Sequence, residues 1–266
     1  MEKLMIQEAL PVAELSRLGL YENGKHLLSS EDITALLAGR RTSLVNLKNL
    51  IGEAFTIESL DVKLSLHHSE RWGDEIMLHP IYREITLAKG MSQEELWPIL
   101  TGEQTNLVKV VHDSERGTEH TLVFEYDAET KEFISYDPSL VQVPFQVNGE
   151  KLNEKQQQDF RRGAIVELTD GTKFQYMSSL PKGIVSNRSA LIIAMSGSGR
   201  SPSFFIEDLA PLKVSNAQEQ PFSPAFESAF LEMRKSEGVL SEDKLQVELE
   251  DLKNDYHSPL GLGSSR

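Results

Sequence analysis

A chain of 266 residues, 39% hydrophobic and 26% charged, carries enough apolar surface for one or two ordinary cores, which excludes a wholly disordered polypeptide. Its 27 Lys+Arg against 41 Asp+Glu leave a formal charge of −14, so a phosphate backbone is repelled unless basic residues are locally concentrated. The absence of cysteine excludes disulfides, thiolate metal sites and thiol nucleophiles, and fits a reducing compartment.

The first 20 residues, MEKLMIQEALPVAELSRLGL, carry acids throughout and lack both a basic start and an uninterrupted apolar run, so they do not read as a signal peptide. No stretch reaches the roughly 18 to 20 apolar residues of a membrane helix, the most apolar being ALIIAM at 190–195. A cytoplasmic location is the expectation.

The phrase LSSEDITALLAGRRTSLVNL at 28–47 returns 63 positions later as MSQEELWPILTGEQTNLVKV at 91–110. Aligned without a gap, the two agree at seven positions: Ser29/Ser92, Glu31/Glu94, Leu37/Leu100, Gly39/Gly102, Thr42/Thr105, Leu44/Leu107 and Val45/Val108. Chance would supply roughly one, so the chain contains an internal repeat.

Ser29 and Ser92 stand three residues before Asp32 and Glu95, the spacing of a capped helix start. Ile33, Leu36 and Leu37, like Leu96, Ile99 and Leu100, place an apolar stripe on one face, and Gly39 and Gly102 supply a left-handed stop. Beyond each glycine the period becomes two, at 42–47 and 105–110, which reads as a strand. Pro98 lies inside the second helix and predicts a distortion there.

Further strands are expected at LDVKLSL (60–66) and EIMLHPIY (75–82), with a hairpin from TLVFEYD (121–127) and KEFISYD (131–137). A more polar third copy of the unit is read at 152–168, capped by Asn153 and stopped by Gly163. Asp170-Gly171 between two strand-like runs predicts a hairpin, and RSALIIAMS with PSFFIEDL a last strand pair across GSGR at 197–200. From Val214 a loop gives way to two amphipathic helices, spaced by Phe226, Phe230 and Met233 and by Leu245, Leu249 and Leu252, before a frayed end.

The stretches GRRTSLVNLKNL, FTIESLDVKLSLHH and LHPIY, followed by LTGEQTNLVKV, FEYDAETKEFISYD and VPFQVNGEKLNEKQQQDFRRGAIVELTDGTKFQY, resemble uncharacterised domain families of bacterial conjugative transposons and related mobile elements. The resemblance runs over residues 10–212 and brings no catalytic motif with it. What it implies is an accessory role in a mobile element.

Several clusters could carry chemistry. His67, His68, Glu70 and His79 could approach a metal, but adjacent histidines on a strand point to opposite faces and no HExxH spacing is present, so solvated loop histidines are expected and no metal or other cofactor. MSGSGRSPS at 195–203 lacks the Lys and the following helix of a phosphate-binding loop and reads as a flexible turn exposing Arg200. Asp127, Glu129, Glu132 and Asp137 could pair as acid and base, or simply mark an acidic turn.

Arg40, Arg41 and Lys48, with Arg161 and Arg162, are the basic clusters. Both arginine pairs abut a predicted helix end, where cations favour the dipole and remain hydrated; on one common face they could instead contact nucleic acid. The apolar set Phe226, Phe230, Met233, Leu245, Leu249 and Leu252 either docks back on its own domain or meets another protein as a helix in a groove.

The expectation is thus an α+β protein of repeated short-helix-plus-antiparallel-sheet modules. It comprises a first module at 1–87, a second at 88–213 with a partial third copy at 152–177, and a helical, partly flexible tail at 214–266. The expected role is a non-enzymatic protein–protein adaptor without cofactor or membrane partner, the alternative being a nucleic-acid accessory using the arginines.

Overall fold

The computed structural model describes residues 10–51, 56–69, 73–113, 117–195, 203–212, 221–238 and 242–257. The fold is α+β. Glu70, Arg200 and the GSGR stretch, most of the loop expected from Val214, and the end at 258–266 lie outside the described residues. No described helix is long and apolar enough to cross a membrane. The chain forms two compact units, Met1–Val141 with Met177–Gly183, and Gln142–Tyr176 with Ile184–Arg266.

The first unit opens with helix α1 (Val12–Arg17) and the small hairpin β1 (Tyr21–Glu22) and β2 (Lys25–His26), then runs twice through helix and three-stranded meander. The first copy is α2 (Ser30–Leu37) with β3 (Val45–Ile51), β4 (Thr56–Ser69) and β5 (Gly73–Pro80). The second is α3 (Trp97–Leu100), entered through a 3-10 turn, with β6 (Asn106–Asp113), β7 (Thr118–Asp127) and β8 (Glu132–Tyr136). Both sheets are antiparallel, ordered β3-β4-β5 and β6-β7-β8.

The caps act as their spacing requires. The Ser29 hydroxyl accepts from Asp32 N at 3.0 Å, and Ser92 and Glu95 form a reciprocal capping box. Gly39 and Gly102 end the helices at φ +69° and +78°. Pro98 has the expected effect: the second helix is broken into a 3-10 turn at Gln93–Glu95 and one α-turn.

The strands match less simply than the gapless repeat suggests. Val45 and Leu47 pack into the first core while Leu44 is 40% exposed; in the second copy Leu107 packs inward and Val108 is 41% exposed. The two copies therefore differ in parity, and one residue fewer separates Gly102 from the inward-facing Leu107 than Gly39 from Val45. Because side chains alternate along a strand, that single residue exchanges the faces. A shift of 62 restores the match, placing the cross-strand pair Val45–Val62 on Leu107–Phe124.

Each copy has its own apolar cluster. Leu10, Leu15, Leu20, Leu28, Leu36, Leu47, Val62 and Leu64 form the first, and Met91, Ile99, Phe124 and Phe133 the second.

The second unit contains β9 (Pro144–Val147), β10 (Glu150–Lys151), α4 (Glu154–Arg161), β11 (Val166–Glu167), β12 (Lys173–Tyr176), β13 (Ile184–Ser186), β14 (Leu191–Met195), β15 (Ser203–Ile206), β16 (Ala210–Pro211), α5 (Pro224–Ser236) and α6 (Glu242–His257). Its two sheets run β10-β9-β14-β15 and β11-β12-β13-β16. The Asp170-Gly171 hairpin and the β14–β15 pair form as expected. Asn153 caps α4 with a reciprocal bond to Gln156, and Gly163 follows at φ +63°.

Candidate functional site

Part of the off-helix face of the meanders in the first unit is buried. Lys63 projects there from β4 and is 0% exposed. Its Nζ lies 3.0 Å from Asp127 Oδ1 and 2.7 Å from Glu129 Oε2, and it donates to the Ser179 carbonyl at 2.8 Å. A lysine buried this deeply is tolerated only because the ammonium is met by carboxylates and an oxygen acceptor.

Arg41 closes the other side of Asp127. Nη1 donates to Asp127 Oδ2 and Thr130 Oγ1, both at 3.2 Å, and Nη2 to Glu132 Oε2 at 2.7 Å and His79 Nδ1 at 2.8 Å. His79 Nδ1 also lies 3.4 Å from Glu132 Oε2, and its Nε2 lies 2.8 Å from Ser65 Oγ. Burial alone would raise the Glu132 carboxyl; His79 and the Arg41 guanidinium outweigh it and hold the group below its ordinary range.

Glu125 behaves oppositely. Burial pushes its carboxyl up to about 7 against the N–H groups of Ser179 and Ser178, with the neighbouring Asp127 charge adding to the rise. Those N–H groups donate to Oε1 at 2.6 Å and Oε2 at 3.2 Å. Under the 62-residue shift Glu125 is the counterpart of Lys63, so equivalent positions of the two copies carry a base and an acid.

What these charges grip is the loop Met177–Gly183, which joins β12 to β13. Besides Glu125 and Lys63, Arg41 N donates to the Ser178 carbonyl at 2.9 Å and Arg40 Nε to the Pro181 carbonyl at 3.1 Å. The loop is also closed on itself by Met177 N to Gly183 O and Gly183 N to Leu180 O, both at 3.0 Å. Gly183 adopts φ +69°, and a Cβ there would stand 2.7 Å from Arg40 Cδ. Beside the loop opens a cavity of about 410 Å³, lined by Arg41, Ser65, His79, Glu132 and Ser178 among others.

The sequence-derived candidates fall as follows. Arg41, expected to be hydrated at a helix end, is 5% exposed and committed to two carboxylates, because it extends beyond α2 into the acidic cluster rather than into water. Lys48 is exposed on β3, while Arg161 and Arg162 close α4 in the second unit. His67 and His68 are exposed, the latter bonded to Asp74 at 2.6 Å, whereas His79 is drawn into the buried network instead of a solvated loop. Of the acidic turn, Asp127, Glu129 and Glu132 join the cluster and Asp137 caps the next turn through Ser139 N. Lys63 and Glu125, the deepest charges, were not singled out by the sequence; a Lys or Glu inside an otherwise apolar strand run was the available signal.

The tail set is likewise placed. Phe226, Phe230, Met233 and Leu249 are buried with Ala190, Ile192 and Phe222, and Leu252 packs against that cluster. Leu245 is 1% exposed. The helices dock on their own unit, each large side chain contributing roughly 1.5–3 kcal/mol of burial.

Residues 6–90 match the family described as Protein of unknown function (DUF4099). The match ends short of the wider span over which the sequence resembles uncharacterised domains. It coincides with α1 through β5, whose residues Leu10 to Leu78 build the first apolar cluster, so the DUF4099-like stretch is a module with its own core. No curated protein and no solved structure matches the chain.

Proposed function

We propose that the chain is a non-enzymatic, cytoplasmic adaptor that binds another protein in a bacterial mobile element. The observation that supports this is the outer edge of β6. Among the described residues β6 pairs with β7 alone, and Val108 and Val110 stand 41% and 59% exposed on one face of it. The opposite edge of the same sheet is closed by Thr86 against Lys131 and Phe133. A sheet-edge strand with an apolar face is suited to accepting an extended segment of a partner, main chain for affinity and alternate side chains for specificity. The mobile-element setting rests on the sequence resemblance.

The nucleic-acid alternative must do without Arg41, whose guanidinium a phosphate could reach only by displacing Asp127 or Glu132. The test is affinity capture with the tagged chain and its Val108→Lys/Val110→Lys variant, with and without nuclease. A partner that survives nuclease and is lost in a normally folded variant supports the adaptor. Capture that nuclease abolishes, or that the variant retains, refutes it.

A further inference from the structure

The grip on Met177–Gly183 is unusual in what it reads. Most of the contacts to its Ser178-Ser179-Leu180-Pro181 stretch are made to main-chain groups: two N–H groups on Glu125 and carbonyls on Lys63, Arg41 N and Arg40, to which the Ser179 side chain adds a hydrogen bond to Glu125. Lys182 Nζ of the loop lies 3.8 Å from Glu31 Oε2. Small residues are needed because Ser178 and Ser179 are 4% and 2% exposed, and the hydroxyl at the second position adds its bond to Glu125. A socket of this kind accepts any turn that offers two consecutive N–H groups flanked by carbonyls on small residues.

The loop can also leave without coming apart, since its closing hydrogen bonds are its own. The socket cannot stay empty on the same terms. Lys63 and Glu125 would lose partners that offset their burial, which favours exchange of one peptide for another over simple opening. The adjoining cavity, reached past Ser178 and Arg41, leaves room for side chains larger than serine at the edge of the site.

We propose that the face built by Arg40, Arg41, Lys63, Glu125 and Asp127 is a peptide-binding site, occupied in cis by Met177–Gly183 and open in trans to a protein turn carrying two consecutive small residues. The resident loop is then a competitor that keeps the site shut until such a partner displaces it.

The probe is a labelled synthetic peptide of residues 174–186, whose ends pair in the protein as Phe174–Ser186, Gln175–Val185 and Tyr176–Ile184. Its binding is followed by fluorescence anisotropy to the full chain, to Ser179→Pro, which removes one N–H donated to Glu125, and to Ser179→Pro with Glu125→Ala. Binding to Ser179→Pro at least about tenfold tighter than to the wild type, lost again in the double variant, is the expected result. A folded Ser179→Pro chain that binds no tighter, or tighter binding that survives Glu125→Ala, overturns the proposal. Should Ser179→Pro fail to fold, hydrogen exchange of the wild type decides. Ser178 and Ser179 amides exchanging about 100-fold faster than the slowest amides of β4 and β7 support a displaceable loop, and exchange together with those amides overturns it.

Discussion

Raising the pH from about 5 to about 8 is expected to weaken the first unit, opposite to the usual behaviour of a paired carboxylate. Glu125 has an ordinary value of 4.5 and, buried under the loop, rises to about 7. Between those values the folded chain holds a proton that the unfolded chain has released, so stability falls as pH climbs. At ~1.4 kcal/mol per unit, the contribution present below pH 4.5 is lost by roughly 3 kcal/mol once the folded value is passed. Glu132 and Asp170, both lowered, add stability above their unfolded range and lose it only on the acid side, so they do not cancel this trend. Urea unfolding followed by circular dichroism at several pH values, for wild type and Glu125→Gln, isolates the effect as the difference between the two. A difference that stays constant to within about 0.5 kcal/mol over the range would refute the reasoning.

Lys63→Met is expected to cost about 3 kcal/mol in urea unfolding, because it leaves Asp127 short of a buried partner, whereas Lys48→Met on the exposed face of β3 stays within about 0.5 kcal/mol. Gly39→Ala and Gly183→Ala share a φ of +69°, but only the second drives a Cβ into Arg40, so a lower melting temperature for Gly183→Ala than for Gly39→Ala is expected; equal values would contradict the described packing. Phe226→Ala empties the centre of the second unit's aromatic cluster and is expected to cost about 3–5 kcal/mol, read by the same unfolding assay.

Local rules carried much of the fold. Caps at Ser29, Ser92 and Asn153, glycine stops and the Asp170-Gly171 turn are decided within a few residues and were legible for that reason. Two Asn-Gly turns were equally legible and passed over: Asn23-Gly24 joins β1 to β2 and Asn148-Gly149 joins β9 to β10, both residues of each at positive φ. Strand parity in the repeat was not legible, because identity at Leu44/Leu107 and Val45/Val108 rewards an alignment in which the matched residues face opposite ways. The site was least legible of all. Arg41, Lys63, Glu125 and the loop at Met177–Gly183 are separated by up to 142 residues, and only the three-dimensional pairing converts ordinary surface-type residues into one buried network.

A duplicated unit can simply extend one surface, but the buried polar residues of the two copies argue for something more specific. Had both copies kept the same charge at the position of Lys63 and Glu125, burying them around Asp127 would have left like charges unpaired in a low dielectric, at a cost no nearby hydrogen bond offsets. With a cation in one copy and an acid in the other, the pair instead presents complementary donors and acceptors to a single stretch of main chain: Lys63 takes the Ser179 carbonyl and Glu125 the Ser179 N–H. Lys63 supplies no acceptor and Glu125 no cationic donor, so neither takes both main-chain groups of Ser179. The asymmetry between the copies, rather than their likeness, is therefore what creates a site, and a family match confined to residues 6–90 covers only its cationic half.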